Sequence, residues 1–164
     1  MIKIKKILVP RRSSEERQKN HIIAINKKIQ EYIKNGSQGD LGLSNTPIKQ
    51  LPSTLTKVGG NLDLYKTPIT QLPDNLQVGG NLSLYNTKIT QLPDNLTVGG
   101  GLDLQYTPIT QLPDNLQVGG YLDLRNTQIT HLPDNLKVGG VIYVSDGKEQ
   151  YFKDKYPQFA NKIR

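Results

Sequence analysis

The sequence predicts a repeat solenoid, in which one short coil recurs along the chain and successive coils pair through a parallel β-sheet. Two observations support this fold class. Four gapless 20-residue windows, from 61–80 to 121–140, are nearly identical, and each opens on an L-x-L pattern. Self-similarity at such a period is typical of stacked repeats. The composition agrees, because only 35% of the 164 residues are hydrophobic and Trp is absent, a poor supply for one central core.

Each part of the repeat predicts one piece of local structure. The unit reads L-x-L-x-x-T-x-I-x-x-L-P-x-x-L-x-V-G-G-x. L-x-L has the alternation of a short strand with one buried face. L-P-D-N-L joins a proline of fixed φ to two residues that favour turns. The glycine pair is expected to provide the backbone freedom of a sharp corner. A looser copy with one inserted residue covers 40–60, and a sixth copy begins at Val141 and then leaves the pattern.

The two ends are predicted to cap the solenoid, because a terminal repeat would otherwise expose its core. We divide the chain into a basic N-terminal strand and capping helix (1–39), five full repeats and one partial repeat (40–146), and a C-terminal capping helix (147–164). Ile2 and Ile4 alternate with lysines as in an edge strand, and Ser13 with Glu16 has the spacing of a capping box. Two apolar stripes at helical spacing are expected to cover the core, with a partner-binding helix as the alternative: Ile22, Ile25, Ile29 and Ile33, then Tyr151, Phe152, Tyr156 and Phe159.

The repeat motif resembles that of leucine-rich-repeat proteins, with Thr in place of the usual Asn. Its length and its L-P-x-x-L segment are most similar to the short bacterial class, while V-G-G is similar to repeats of phage and bacterial proteins. The resemblance covers residues 40–146. It implies strands on a concave, protein-binding face, and short irregular or polyproline-like segments on the convex side. It also implies a structural threonine column whose hydroxyls bond backbone groups at the bend: Thr46, Thr67, Thr87, Thr107 and Thr127.

Positive charge is concentrated outside the repeats. Residues 1–40 carry a net charge of +6, residues 41–140 carry −1, and residues 141–164 carry +2. The N-terminal basic residues are candidates for binding an anionic partner, either nucleic acid or an acidic protein. The simpler interpretation is a solvated face, and no RNA-binding or helix-turn-helix signature is present. These residues are Lys3, Lys5, Lys6, Arg11, Arg12, Arg17 and Lys19.

The variable strand positions are the predicted protein-binding site. With the leucines directed inward, the intervening residues are directed outward, and these positions vary in a repeat that otherwise barely changes. Tyrosine offers a large contact area with few rotatable bonds, although strands favour it in any case. The predicted site consists of Asp63, Tyr65, Ser83, Tyr85, Asp103, Gln105, Tyr106, Tyr121, Asp123, Arg125 and Tyr143.

Two aspartate columns follow from the repeat. Asp63, Asp103 and Asp123 share a strand column, in which stacked carboxylates repel one another unless a basic partner or Arg125 compensates them. One carboxylate per coil does not make a metal site. The second column follows the proline and is interpreted as turn chemistry: Asp74, Asp94, Asp114 and Asp134.

The residues give little basis for catalysis. The chain has no cysteine, and neither His21 nor His131 has a nucleophile beside it in sequence. The glycine pairs lack the Lys-Ser/Thr that completes a phosphate-binding loop. We therefore expect a protein that is not an enzyme and that uses no cofactor or metal.

Three functional hypotheses follow. The preferred one is a protein-binding module whose sheet face recognises one target, and the phage-like resemblance suggests inhibition of a host factor such as a defence component. The others are a nucleic-acid-associated protein and a self-associating structural element. The short apolar run before Pro10 and the absence of a long apolar stretch predict no signal peptide and no membrane span. A cytoplasmic protein is therefore expected.

Overall fold

The computed structural model describes residues 13–164, which form a parallel β-solenoid with a coil of about 20 residues. The L-x-L segments pair side by side in one six-stranded parallel sheet, as the sequence predicts. Register is kept from coil to coil, so that Leu62 lies beside Leu82 and Leu82 beside Leu102. In spatial order the strands are β1 (Leu41–Gly42), β3 (Leu62–Asp63), β5 (Leu82–Ser83), β7 (Leu102–Asp103), β9 (Leu122–Asp123) and β11 (Ile142–Tyr143).

A second parallel sheet lies where the sequence predicted only irregular or polyproline-like segments, so that this prediction is wrong for the residues just before each glycine pair. The five strands are β2 (Lys57–Val58), β4 (Gln77–Val78), β6 (Thr97–Val98), β8 (Gln117–Val118) and β10 (Lys137–Val138). In each strand the first residue is exposed and the valine is buried. Each strand has only two residues, too short for its alternation to be read from sequence.

The glycine pairs allow this second sheet to form, because they let the backbones of successive coils approach each other closely. A Cβ atom placed on Gly79 would lie 2.2 Å from the Gly59 carbonyl oxygen, and one on Gly99 would lie 2.2 Å from that of Gly79. The Gly99 N–H donates to the Val78 carbonyl at 2.7 Å. Positive φ among the glycines is confined to Gly36, Gly39 and Gly147 in the described part of the chain. The predicted corner is present, because the chain bends at each glycine pair before the next strand, but glycine is needed there for close contact and not for a left-handed backbone.

The threonine column closes the bend after the first five strands of the six-stranded sheet, as predicted. The Thr67 hydroxyl donates to the Leu64 carbonyl at 2.8 Å, and the other four threonines make the same bond at 2.6 to 2.9 Å. Four of the five threonines are buried. A buried hydroxyl needs such a partner, and the position is therefore structural.

The predicted caps are present at both ends. Helix α1 (Ser14–Lys34) begins with the Ser13–Glu16 capping box and buries Ile25 and Ile29 against the first coil. The predicted stripe is fully buried only at its two middle residues, because Ile22 is exposed and Ile33 is partly buried. The predicted edge strand around Ile2 lies outside the described residues.

The C-terminal cap combines a helix with an added strand pairing. Helix α2 (Glu149–Lys155) buries Phe152, and the 3₁₀ turn Pro157–Phe159 follows it. Tyr156 and Phe159 are also buried, whereas Tyr151 is exposed. Ile163 then pairs in parallel with Ile142 of β11. The chain end thus covers the last strand of the six-stranded sheet.

Lysine side chains bind free backbone carbonyls at the outer strands of both sheets. Lys28 of α1 donates to the carbonyl of Gly42 in β1 at 2.6 Å. Lys162 donates to the carbonyl of Val138 in β10. Unpaired edge groups invite association with other strands, and these lysines occupy one such group at each end.

The glycine column provides a direct test of the stacking. Gly99→Ala is expected to lower the free energy of unfolding by about 3 kcal/mol, the upper part of the usual overpacking cost, because the new methyl group meets the Gly79 carbonyl. The measurement is the urea midpoint of unfolding. Gly42→Ala is the matched control, since a Cβ there meets nothing within 4 Å. Equal midpoints for the two variants would contradict the close-contact role.

Candidate interaction face

The side chains between the buried leucines of the six-stranded sheet form a continuous outer surface with the turn residues that follow each strand. We call this surface the sheet face. Its middle column runs across neighbouring strands from Asp63 to Ser83, Asp103, Asp123 and Tyr143. The sheet pairing therefore brings the predicted binding residues of successive coils side by side.

A row of three tyrosines occupies the N-terminal part of the sheet face. The ring centroids of Tyr65 and Tyr85 are 5.2 Å apart, as are those of Tyr85 and Tyr106. Lys66 places its ammonium group 5.0 Å from the centre of the Tyr65 ring. Tyr106 is 51% exposed, and Tyr65 and Tyr85 are partly buried. Aromatic pairs at this spacing attract one another by about 0.5–1.5 kcal/mol beyond their burial.

Lys66 and Tyr106 both adopt the left-handed backbone conformation, which glycine and asparagine tolerate better. The position before each structural threonine is left-handed in all five full coils, with φ from 53° to 59°. Asn occupies it in three coils (Asn45, Asn86 and Asn126), which fits its tolerance of this region. Lys66 and Tyr106 occupy it in the other two. A left-handed lysine or tyrosine costs roughly 1 kcal/mol, so folding alone does not favour these two side chains there.

A second cluster occupies the C-terminal part of the sheet face around Tyr121. The Tyr121 ring covers the backbone of Gly101, where any Cβ would lie 2.2 Å from a ring carbon. The Tyr121 and Tyr143 rings lie edge to face at 6.4 Å, and the Arg125 guanidinium lies 5.2 Å from the centre of the Tyr143 ring. Gly101 thus provides the space that its neighbour's aromatic ring fills.

The aspartate column is held by local hydrogen bonds. Asp63, Asp103 and Asp123 each accept the backbone N–H two residues further on, at 3.0 to 3.1 Å. Asp123 is 3% exposed and also binds the Arg125 guanidinium, with Nη2 2.5 Å from Oδ2. The predicted local compensation by Arg125 is confirmed.

Asp103, unlike Asp123, is not paired with an arginine or lysine of the described residues. Burial raises the pKa of the Asp103 carboxyl, the nearby Asp123 raises it further, and Arg125 lowers it in part. Burial and the same two carboxylates also raise the pKa of Tyr121. The ionised form of Asp103 is therefore disfavoured in the folded chain.

The residue directly before each L-x-L segment has a structural role in several coils that the sequence analysis did not identify. The Asn61 side-chain oxygen accepts the Asn81 N–H at 2.7 Å, and the Asn81 oxygen accepts the Gly101 N–H at 2.6 Å. Asp40 does the same for the Asn61 N–H. Two successive asparagines at one repeat position were the available signal for this side-chain ladder.

The remaining candidate residues lie elsewhere. Arg17 and Lys19 are exposed on α1, and the other basic candidates, Lys3, Lys5, Lys6, Arg11 and Arg12, lie outside the described residues. The aspartates of the second column are exposed in the turn after each proline, as predicted. His131 contacts only the neighbouring Thr130 hydroxyl among the side chains of the described region, with Nδ1 3.0 Å from Oγ1.

Other features of the described residues bear on function. No group of three His, Asp or Glu side chains in residues 13–164 is placed to hold a metal ion. No helix in the same range is long and apolar enough to cross a membrane. A groove of about 400 Å³ opens at the C-terminal part of the sheet face and is lined by Gln105, Tyr106, Arg125, Asn126, Ser145 and Asp146.

Comparison with known proteins gives no assignment. No protein-family model matches the chain, and no curated protein is significantly similar to it.

Neutralising Asp103 is expected to stabilise the fold at neutral pH. A carboxyl whose pKa is raised in the folded state opposes folding when ionised, and this penalty disappears once the pH falls below the unfolded value of about 3.9. Asp103→Asn keeps an oxygen for the Gln105 N–H, so its urea midpoint should exceed that of the unsubstituted chain at pH 7 and match it near pH 3.5. Asp94→Asn, at an exposed turn, is the control. An equal gain from the control, or no gain at pH 7, would contradict this account.

Proposed function

We propose that the protein is a leucine-rich-repeat-type module that binds another protein through the sheet face and performs no catalysis. The observation that supports this most is the row of Tyr65, Tyr85 and Tyr106 rings at 5.2 Å spacing on the outer side of the sheet. Tyrosine rings that contact one another restrict each other's rotamers, so less side-chain entropy is lost on binding.

The conformational cost at Lys66 and Tyr106 supports the same surface. Both residues are left-handed, in a position where Asn serves in three other coils. Strained residues cluster at functional sites when selection retains their side chains for another purpose. Asp103 likewise opposes folding when ionised. Lys66, Tyr106 and Asp103 thus each lower the stability of the fold, and their presence on one face favours a role in binding over a purely structural one.

The repeat itself supports the leucine-rich-repeat assignment through its period and its ladder of buried leucines. In such proteins the strand face, which we expect to be concave, commonly binds a protein. The similarity of V-G-G to repeats of phage and bacterial proteins makes inhibition of a host factor in the cytoplasm a reasonable form of the proposal.

The test begins with affinity capture from the native host and identification of the bound protein by mass spectrometry. Replacing Tyr65, Tyr85 and Tyr121 together with Ala should then weaken its binding by about 100-fold or more, because aromatic anchors dominate such interfaces. Calorimetric titration measures the affinity, and circular dichroism checks that the fold remains. All three side chains are at least partly exposed, so folding should be preserved.

Tyr151→Ala is the matched control, since Tyr151 is 48% exposed and lies on α2, away from the sheet face. Unchanged affinity in the triple variant would disprove the assignment of the sheet face. Loss of affinity in Tyr151→Ala alone would instead place binding at the C-terminal cap.

A further inference from the structure

The charge of the sheet face is opposite to that of the chain. The whole sequence has a net charge of +7. The sheet face carries Asp63, Asp103 and Asp123 against Lys66 and Arg125, a net charge of −1. Interfaces place complementary charges opposite each other. This inference rests on the proposed function and concerns the chemistry of the partner.

Asp63 and Asp103 are the carboxylates of the sheet face that no cation of the described residues pairs, and Asp103 is the one close to Tyr121. Asp123 is already bound by Arg125, whereas Asp103 in the described structure is hydrogen-bonded by Gln105 alone and makes no ion pair. An ionised carboxylate offers about four acceptor sites. A cation on a partner would offset two effects that disfavour the ionised Asp103 carboxylate, its burial and its repulsion by Asp123.

The aromatic surroundings of Asp103 also suit a cation. Tyr121 lies over Gly101, two residues before Asp103, and packs against Tyr143. Ring faces of tyrosine attract ammonium and guanidinium groups. The sheet face already contains two such contacts of its own, Lys66 on Tyr65 and Arg125 on Tyr143.

Nucleic acid fits this surface less well. Stacking platforms for single strands combine aromatic rings with a positively charged groove. Here the phosphates would meet the carboxylates of Asp63 and Asp103, neither of which is paired with a cation in residues 13–164.

We propose that the sheet face binds a basic segment of a partner protein, with a lysine or arginine side chain seated against the Tyr121 ring and the Asp103 carboxylate. The Tyr65–Tyr85–Tyr106 row then contacts apolar and aromatic groups of the same partner. Lys66 marks the opposite end of the face and repels a second cation there. The partner segment therefore binds in one direction, with its basic residue toward the C-terminal coils.

The test uses the full chain and two synthetic 12-residue peptides that are identical except that one carries four lysines where the other carries four glutamates. Each is titrated into the ¹⁵N-labelled protein, and amide shifts are followed by NMR. We expect the lysine peptide to shift amides of residues 101–105 and 121–125 and the glutamate peptide to leave them unchanged. Asp103→Asn should weaken the apparent affinity about tenfold, as for loss of a hydrogen bond to a charged group.

The second aspartate column provides an internal control, because Asp74, Asp94, Asp114 and Asp134 also carry carboxyl groups but are exposed in the turns after the prolines. Asp94→Asn should leave the affinity unchanged. Shifts spread equally over both columns would show attraction by charge alone and overturn the proposed site. Absence of shifts at residues 101–125 with the lysine peptide would also overturn it.

Failure of this inference can be distinguished from failure of the proposed function. If both peptides shift the sheet face equally, the face binds protein but has no preference for basic segments. If the triple tyrosine variant loses the captured partner while Asp103→Asn retains it, the same conclusion follows. If the triple variant retains the partner, the proposed function itself fails.

Discussion

Close backbone contact between successive coils at the glycine pairs is the constraint on which the rest of the structure depends. The Gly79–Gly59, Gly99–Gly79 and Gly119–Gly99 contacts leave no room for a Cβ atom. Because the backbones meet there, each coil donates hydrogen bonds to the preceding one and the second sheet forms. Only three residues separate each strand of the second sheet from the next strand of the six-stranded sheet, so this spacing also constrains the register of the six-stranded sheet. A side chain at one glycine would separate the coils on one side and disturb the pairing on both.

This constraint explains why the repeat varies so little and where it can vary. Leucine, isoleucine and valine positions fill the core, threonines close the bend, and glycines set the spacing. The outer strand positions meet none of these requirements, apart from the Asn61 and Asn81 ladder. Tyrosines and charges accumulate at these positions and at the adjoining left-handed turns. A binding role explains why Lys66, Tyr106 and Asp103 are kept at a cost to folding.

Sequence reasoning predicted the features that arise from periodicity. The L-x-L sheet and the two caps follow from patterns in the residues, and the threonine hydrogen bonds follow from the resemblance to leucine-rich repeats. The second sheet was missed because a glycine needed for close contact looks the same in sequence as a glycine needed for a turn. The tyrosine row was predicted only as a set of residues. Its geometry depends on Tyr106 reaching from a turn toward Tyr85, which repeat alignment alone does not reveal.

The most direct test of the account is the hydrogen-exchange footprint of the captured partner on this chain. If fixed positions serve folding and the sheet face serves binding, the partner should slow amide exchange in peptides that contain residues 62–66, 82–86, 101–106 and 121–125. Peptides that contain only the turns after the prolines or only the five-stranded sheet should exchange as in the free chain. Protection along the groove between Val118, Val138 and Phe159, with none on the sheet face, would contradict the account.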